Sequence, residues 1–244
     1  MEYHYKHEFL VGYGEVDEHN KLRLSALLNY FQDVATMHSK TLGYGTSECL
    51  KLGIGWLLLS WHVKMYSYPE GDTNIEVRTW SRGIKGIHAR RAYEVLDEKG
   101  NLVAEADSIW ALVNIKEKRP IRPLPGMNEA YGAIDRMPFE EEKIRIEEPE
   151  SIDNIVSFYV PRRDIDTNHH CNNTKYIEYA LEAIPQEIYN EKHVEELEIV
   201  YKKPVYDHEK IQATCTQKDE EFISRITNEN NETATLIKTT WRKF

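Results

Sequence analysis

Apolar residues at Leu24, Leu27, Leu28, Phe31, Val34, Ala35 and Leu42 recur at close to helical spacing and predict a helix over 22–42. Asn20 or Ser25 is placed to cap its start, and Gly43 to end it. Strand-like runs follow over 56–66, 73–80 and 88–96. A turn at Asp97-Glu98-Lys99-Gly100 leads into another run over 102–115. The proline-rich segment from Arg119 to Pro125 closes this set. From Glu140 to Glu150 the chain is acidic and poor in large apolar residues, which reads as a linker. The same order then returns: a helix over 174–187, and strands over 194–205, 209–217, 221–228 and 232–243.

The repetition extends to residues. Asp17-Glu18-His19-Asn20-Lys21-Leu22 precedes the first helix as Asp166-Thr167-Asn168-His169-His170-Cys171 precedes the second. In that register Leu28 matches Ile177, Tyr30 matches Tyr179 and Asp33 matches Glu182, so the chain reads as an internal duplication. The expected units are 1–135 and 150–244, joined by a linker over 136–149. A unit of one long helix followed by antiparallel strands packs the helix on one sheet face, the α+β arrangement.

The copies differ where chemistry is concentrated. Residues 164–174 hold two aspartates, two histidines and three amides in eleven positions, groups that ionise or donate to a carbonyl. In the first copy His19 and Lys21 stand at the positions of Asn168 and His170. That asymmetry is what division of labour produces: one half reacts and the other holds.

Composition narrows the classes. The 244 residues are 41% apolar and 11% aromatic, with 15 tyrosines and 5 tryptophans against 9 prolines, which fits a packed, strand-rich protein. A net charge of −10 argues against a nucleic-acid partner, because phosphate neutralisation needs a surplus of Lys and Arg. Three scattered cysteines (Cys49, Cys171, Cys215) suit neither a disulfide framework nor a metal knuckle and point to a reducing compartment. No His, Cys or carboxylate spacing implies a metal. The start of the chain has no export or transit character. The longest apolar run, 52–61, is about half a bilayer span. The expectation is a soluble, cytoplasmic protein without cofactor.

The stretch Asp164-Ile165-Asp166-Thr167-Asn168-His169-His170-Cys171-Asn172-Asn173-Thr174-Lys175-Tyr176-Ile177 closely resembles the second-half motif of acyl-[acyl-carrier-protein] thioesterases, bacterial relatives of the plant plastid enzymes. The first half resembles them in Leu28-Asn29-Tyr30-Phe31-Gln32-Asp33-Val34-Ala35, in the Trp56 strand and in Ser108-Ile109-Trp110-Ala111-Leu112-Val113-Asn114. The likeness covers nearly the whole chain in order. It implies a tandem hotdog fold, with a curved antiparallel sheet round a long helix in each half. It also implies a catalytic set of Asp166, Asn168 and His170, and acyl carrier protein with its phosphopantetheine arm as partner. The family's glutamate after an aromatic-basic-basic run is absent here: Tyr201-Lys202-Lys203 is followed by Pro204, with Glu198 and Glu209 the nearest acids.

Under that resemblance the expected reaction is thioester hydrolysis that releases free fatty acid and ends elongation. Alternatives are hydrolysis of coenzyme A esters, or acyl binding without turnover because of Pro204. His170 is the natural base, since imidazole titrates near neutral pH. Asp166 orients it or activates the water itself, and Asn168 holds the water or polarises the carbonyl. The same Asp166 and Asn168 are also good cap and turn residues. Cys171 matches plain Leu22 and suits a small buried apolar role better than that of a nucleophile. In the first half Asn29, Gln32, Trp56 and Trp110 are candidates for the acyl-binding region, alongside their ordinary roles as helix surface or core. Two basic clusters are available for docking an acidic carrier: Arg78, Arg82, Lys85, Arg90 and Arg91, and Lys116, Lys118, Arg119 and Arg122. The duplication allows a monomer or a homodimer.

Overall fold

The computed structural model describes residues 2–139 and 144–243 and divides into two compact units. The first is built from residues before 140 and the second from 144 onward, with Ser60–Lys64 grouped with the second. Part of the expected linker, residues 140–143, lies outside the described residues.

The first unit begins with strand β1 (Tyr5–Leu10), followed by α1 (Leu24–Thr41), α2 (Thr46–Leu52) and strands β2 (Ile54–Met65), β3 (Asn74–Lys85), β4 (His88–Asp97) and β5 (Leu102–Asn114). A short β6 (Arg119–Pro120) pairs with β5, and α3 (Met127–Tyr131) ends the set. Its sheet order is β1-β3-β4-β5-β2. The predicted apolar stripe of α1 is the buried one: Leu27, Leu28, Phe31 and Val34 are fully enclosed. They lie against the face of β3 and β4 that carries Val77, Thr79, Tyr93 and Val95, and the Phe31 and Tyr93 rings meet at 4.8 Å. Neither Asn20 nor Ser25 caps α1; Arg23 stands at the N-cap with no side-chain cap bond. Gly43, at φ 79°, adopts the left-handed conformation that ends the helix.

The second unit consists of β7 (Asn154–Tyr159), α4 (Lys175–Leu181), α5 (Gln186–Glu191), β8 (Lys192–Tyr201), β9 (Lys210–Lys218), β10 (Glu221–Thr227) and β11 (Thr233–Lys243). Its order, β7-β9-β10-β11-β8, is the first unit's order strand for strand. Each unit is thus the expected α+β layer of helix on antiparallel sheet.

Four expectations change. Strands β1 and β7 join the expected set as edge strands, with most of their side chains exposed. Helix α2 was not expected. The helix predicted over 174–187 is two short helices, because Pro185 has no N–H to donate and pushes Ile184 away from helical geometry. The strand predicted to reach Val205 ends at Tyr201, so Pro204 lies in a loop and strand parity no longer singles out Glu198. Among the described residues no helix is long and apolar enough to cross a membrane.

Candidate active site

The segment 166–170 is a tight turn closed by its own backbone. Asp166 N–H donates to His170 O at 2.8 Å, and His169 N–H donates to Asp166 O at 3.0 Å with His169 at φ 63°. The carboxylate organises the turn: Asp166 Oδ1 accepts Asn168 N–H at 2.7 Å, and Asp166 Oδ2 has Asn168 Nδ2 at 3.4 Å. This is an Asx turn, the local bonding that makes aspartate a turn residue.

The first copy has the same frame. Asp17 N–H donates to Lys21 O, Asn20 N–H to Asp17 O with Asn20 at φ 60°, and Asp17 Oδ1 accepts His19 N–H at 2.9 Å. Below each turn a tyrosine of the following helix donates to an acid: Tyr30 to Glu15, and Tyr179 to Asp164 Oδ2 at 2.6 Å. Each tyrosine also stacks on a phenylalanine of the edge strand, Phe9 at 4.4 Å and Phe158 at 5.8 Å. The turn is therefore a fixed part of the fold, and its aspartate is needed for geometry in both copies. What differs is the load: His19 and Lys21 in one, Asn168 and His170 in the other.

The structure brings Asp166 and Asn168 into contact and gives His170 a different neighbour. The imidazole meets the Tyr206 ring edge to face, with centroids 5.3 Å apart and planes at 77°. Among the described residues no hydrogen bond engages either His170 ring nitrogen. Asn168 and His169 are exposed, while Asp166 and His170 are half-buried. Tyr206 lies far along the chain and carries no sequence signal. Its place follows from Val205, whose carbonyl accepts Cys171 N–H at 2.8 Å and whose N–H donates to Tyr176 Oη at 3.1 Å. The loop beyond lines a cavity of about 460 Å³ with Lys203, Pro204, Tyr206, Glu209 and the turn Asn228–Asn230. Glu209 accepts Tyr206 N–H there at 2.8 Å, whereas Glu198 is paired with Lys238 at 2.8 Å.

Neighbouring candidates resolve into structural parts. Cys171 is 2% exposed, and burial pushes its thiol up to about 12, which makes it a poor nucleophile. Asn172 Oδ1 accepts Thr174 N–H and Oγ1, capping the approach to α4. His62, Glu196 and Glu198 come within ligand distance of one another, but His62 is bonded to Glu196 and Lys238 holds Glu198, so the donors are already engaged.

In the first unit Asn29 stands on the solvent face of α1, apart from the interior. Gln32 is half-buried, with Nε2 enclosed and unpartnered. Trp56 is half-buried and meets Tyr131 edge-on at 5.9 Å, and Trp110 Nε1 donates to Ser108 Oγ at 2.7 Å. Of the two basic clusters, the first is broken by burial. Arg82 is paired with Asp107, and Arg91, 7% exposed, donates from Nη1 to His38 Nδ1 and Thr79 Oγ1. Lys116, Lys118, Arg119 and Arg122 are all exposed.

The sequence matches two family models, the acyl-ACP thioesterase N-terminal domain over residues 2–131 and the C-terminal domain over 147–243. It is 27% identical to oleoyl-acyl carrier protein thioesterase 2 of Arabidopsis thaliana, covering 94% of this chain and 67% of that one. It is 26% identical to a dodecanoyl-[acyl-carrier-protein] hydrolase of Cinnamomum camphora over 82% of this chain and 56% of that one. The chain thus spans between about half and two thirds of these curated relatives. Among solved structures, an acyl-ACP thioesterase from Bacteroides thetaiotaomicron superposes with TM-score 0.89 at 23% identity, covering 97% of both chains. The 12:0-ACP thioesterase from Umbellularia californica superposes with 0.85 at 22%, covering 98% of this chain and 97% of that one. These superpositions establish the hotdog fold.

Proposed function

The chain belongs to the acyl-ACP thioesterase family, and we propose that it hydrolyses acyl chains from acyl carrier protein, releasing free fatty acid and ending elongation. One observation carries the catalytic assignment. The Asp-centred turn occurs twice with the same three hydrogen bonds, and only the second copy places an amide two residues and an imidazole four residues after the aspartate, where the first has His19 and Lys21.

In this reading His170 takes a proton from water as the oxygen adds to the thioester carbonyl carbon. Asp166 Oδ2, beyond firm hydrogen-bond reach of Asn168, is the acceptor left to hold the water or the imidazolium. Asn168 Nδ2 supplies a donor toward the developing oxyanion. Collapse of the tetrahedral intermediate breaks the C–S bond, and the phosphopantetheine sulfur leaves as a thiol with the proton His170 took up. The first unit (the expected 1–135) holds the acyl chain near Gln32, Trp56 and Trp110, and the second (150–244) carries the reaction. The exposed Lys116, Lys118, Arg119 and Arg122 offer the positive surface that an acidic carrier needs.

The test is hydrolysis of a panel of acyl carrier protein thioesters, short to long, beside matching coenzyme A esters, with His170→Ala as control. Carrier-linked turnover that the variant loses is the expected result. Preference for coenzyme A esters would reassign the substrate. Tight acyl binding without turnover would make the chain a binder, with Pro204 in the glutamate's place as the reason.

A further inference from the structure

His170 and Tyr206 occupy a pair of positions that touch in both copies. In the first unit Leu22 N–H donates to Pro69 O at 2.8 Å, as Cys171 N–H donates to Val205 O at 2.8 Å in the second. That backbone bond sets the register, so the residues on either side of it correspond: Lys21 with His170, and Glu70 with Tyr206. Lys21 Nζ and Glu70 Oε1 form an ion pair at 2.8 Å. Their counterparts form the edge-to-face ring contact at 5.3 Å. One frame thus holds a salt bridge in the copy that carries Lys21, and an aromatic contact in the copy that carries His170.

The replacement has a chemical consequence. A carboxylate at position 206 would claim a ring nitrogen of His170 and favour the imidazolium. A ring fixes the imidazole through shape and quadrupole and uses neither nitrogen. The ring is itself well held: both backbone groups of Val205 are bonded to the 171–176 segment, and Glu209 accepts Tyr206 N–H. Pro204, locked at φ and lacking an N–H, stiffens the approach from the other side.

We propose that Tyr206 is a positioning residue for His170, holding the imidazole over the 166–170 turn while leaving both nitrogens free for water and leaving group. The proposal rests on the hydrolase reading for its consequence in turnover, and on the paired geometry alone for its effect on the ring.

Three variants test it: Tyr206→Ala, Tyr206→Phe and Tyr206→Glu. The Tyr206 side chain is at the surface, 51% exposed, so all three are expected to fold, and thermal melting checks this. Steady-state rates on carrier-linked thioester are measured beside NMR titration of the His170 ring protons. Loss of the ring in Ala lowers kcat about tenfold with KM unchanged, the size of one aromatic contact, and Phe recovers it. Glu recreates the Lys21–Glu70 arrangement, raises the pH at which His170 titrates and moves the acid limb of the kcat profile upward by the same amount. Asp166, Asp207 and Glu209 are present in every variant, so the shift reports the new carboxylate. An Ala variant with wild-type kcat, or a Glu variant whose His170 titrates unchanged, overturns the proposal. An inert wild type overturns the hydrolase reading instead, and the Glu titration then decides by itself whether Tyr206 governs the ring.

Discussion

Asparagine at position 166 separates the two jobs of its aspartate. Asp166 Oδ1 accepts Asn168 N–H at 2.7 Å, and an asparagine Oδ1 can accept the same bond. The change exchanges a charged acceptor for a neutral one, a difference of about 1 kcal/mol for a half-buried group. That lowers the melting temperature by about 2–4 °C in a chain of this size. Turnover loses more. A positioned acid or base contributes about 10²–10⁴ in rate, or about 2.7–5.4 kcal/mol at about 1.36 kcal/mol per decade. Asp17→Asn makes the same exchange in the other copy, where Asp17 Oδ1 accepts His19 and Lys21 N–H at 2.9 Å. It is expected to show the small melting shift and wild-type kcat. The assay is kcat on a carrier-linked thioester, with thermal melts of both variants. Equal loss of turnover in both, or a loss at Asp166→Asn no larger than its melting shift explains, would refute catalysis by the second turn.

Two further outcomes follow from Tyr179 beneath the second turn and from His38 near the end of α1. Tyr179→Phe strips the phenol donor from buried Asp164 and costs about 1.5–3 kcal/mol, seen as a lower melting temperature than Tyr30→Phe gives. Equal melting of the two variants would contradict this. Burial, then the Arg91 charge, holds His38 down at about 3, so its Nδ1 accepts from Arg91 as a neutral ring. The unfolded chain takes up that proton near pH 6.5, so the unfolded state binds more protons between about 6.5 and 3. Stability is therefore full above 6.5 and falls on acidification through that window. His38→Asn should flatten the slope of denaturation midpoint against pH, and a slope unchanged in the variant would remove His38 as its source.

Sequence carried the duplicated plan because it is written in side chains that repeat: Asp17 and Asp166, Tyr30 and Tyr179, and the apolar stripe of α1. The family, too, was legible in the 164–177 motif and the first-half segments, and the matches to both domain models agree with it. Elements whose side chains face water were not legible. Strands β1 and β7 are held by backbone pairing to β3 and β9, and Tyr5-Lys6-His7-Glu8 shows no burial pattern. Pro185 was visible, but the apolar spacing ran on across it. Arg91 read as docking surface because a buried cation without a carboxylate partner has no signature in a single sequence. Tyr206 was hidden for a related reason: it reaches His170 through the two backbone bonds of Val205, which any residue could make.

The break at Pro185 reaches into how the molecule assembles. Helix α1 has 18 residues, long enough to form transiently before its sheet exists. Helix α4 has 7, too few to survive nucleation alone, so it gains its order only from a sheet already in place. Folding of the first unit can begin from a local helix, whereas the second must first close β9, β10 and β11 on one another and bring β7 and β8 to them over long stretches of chain. Such pairing is slow because loop closure precedes any reward from contact. The half that carries Asp166, Asn168 and His170 is therefore expected to order last, and turnover on refolding to appear at the rate at which those strands meet.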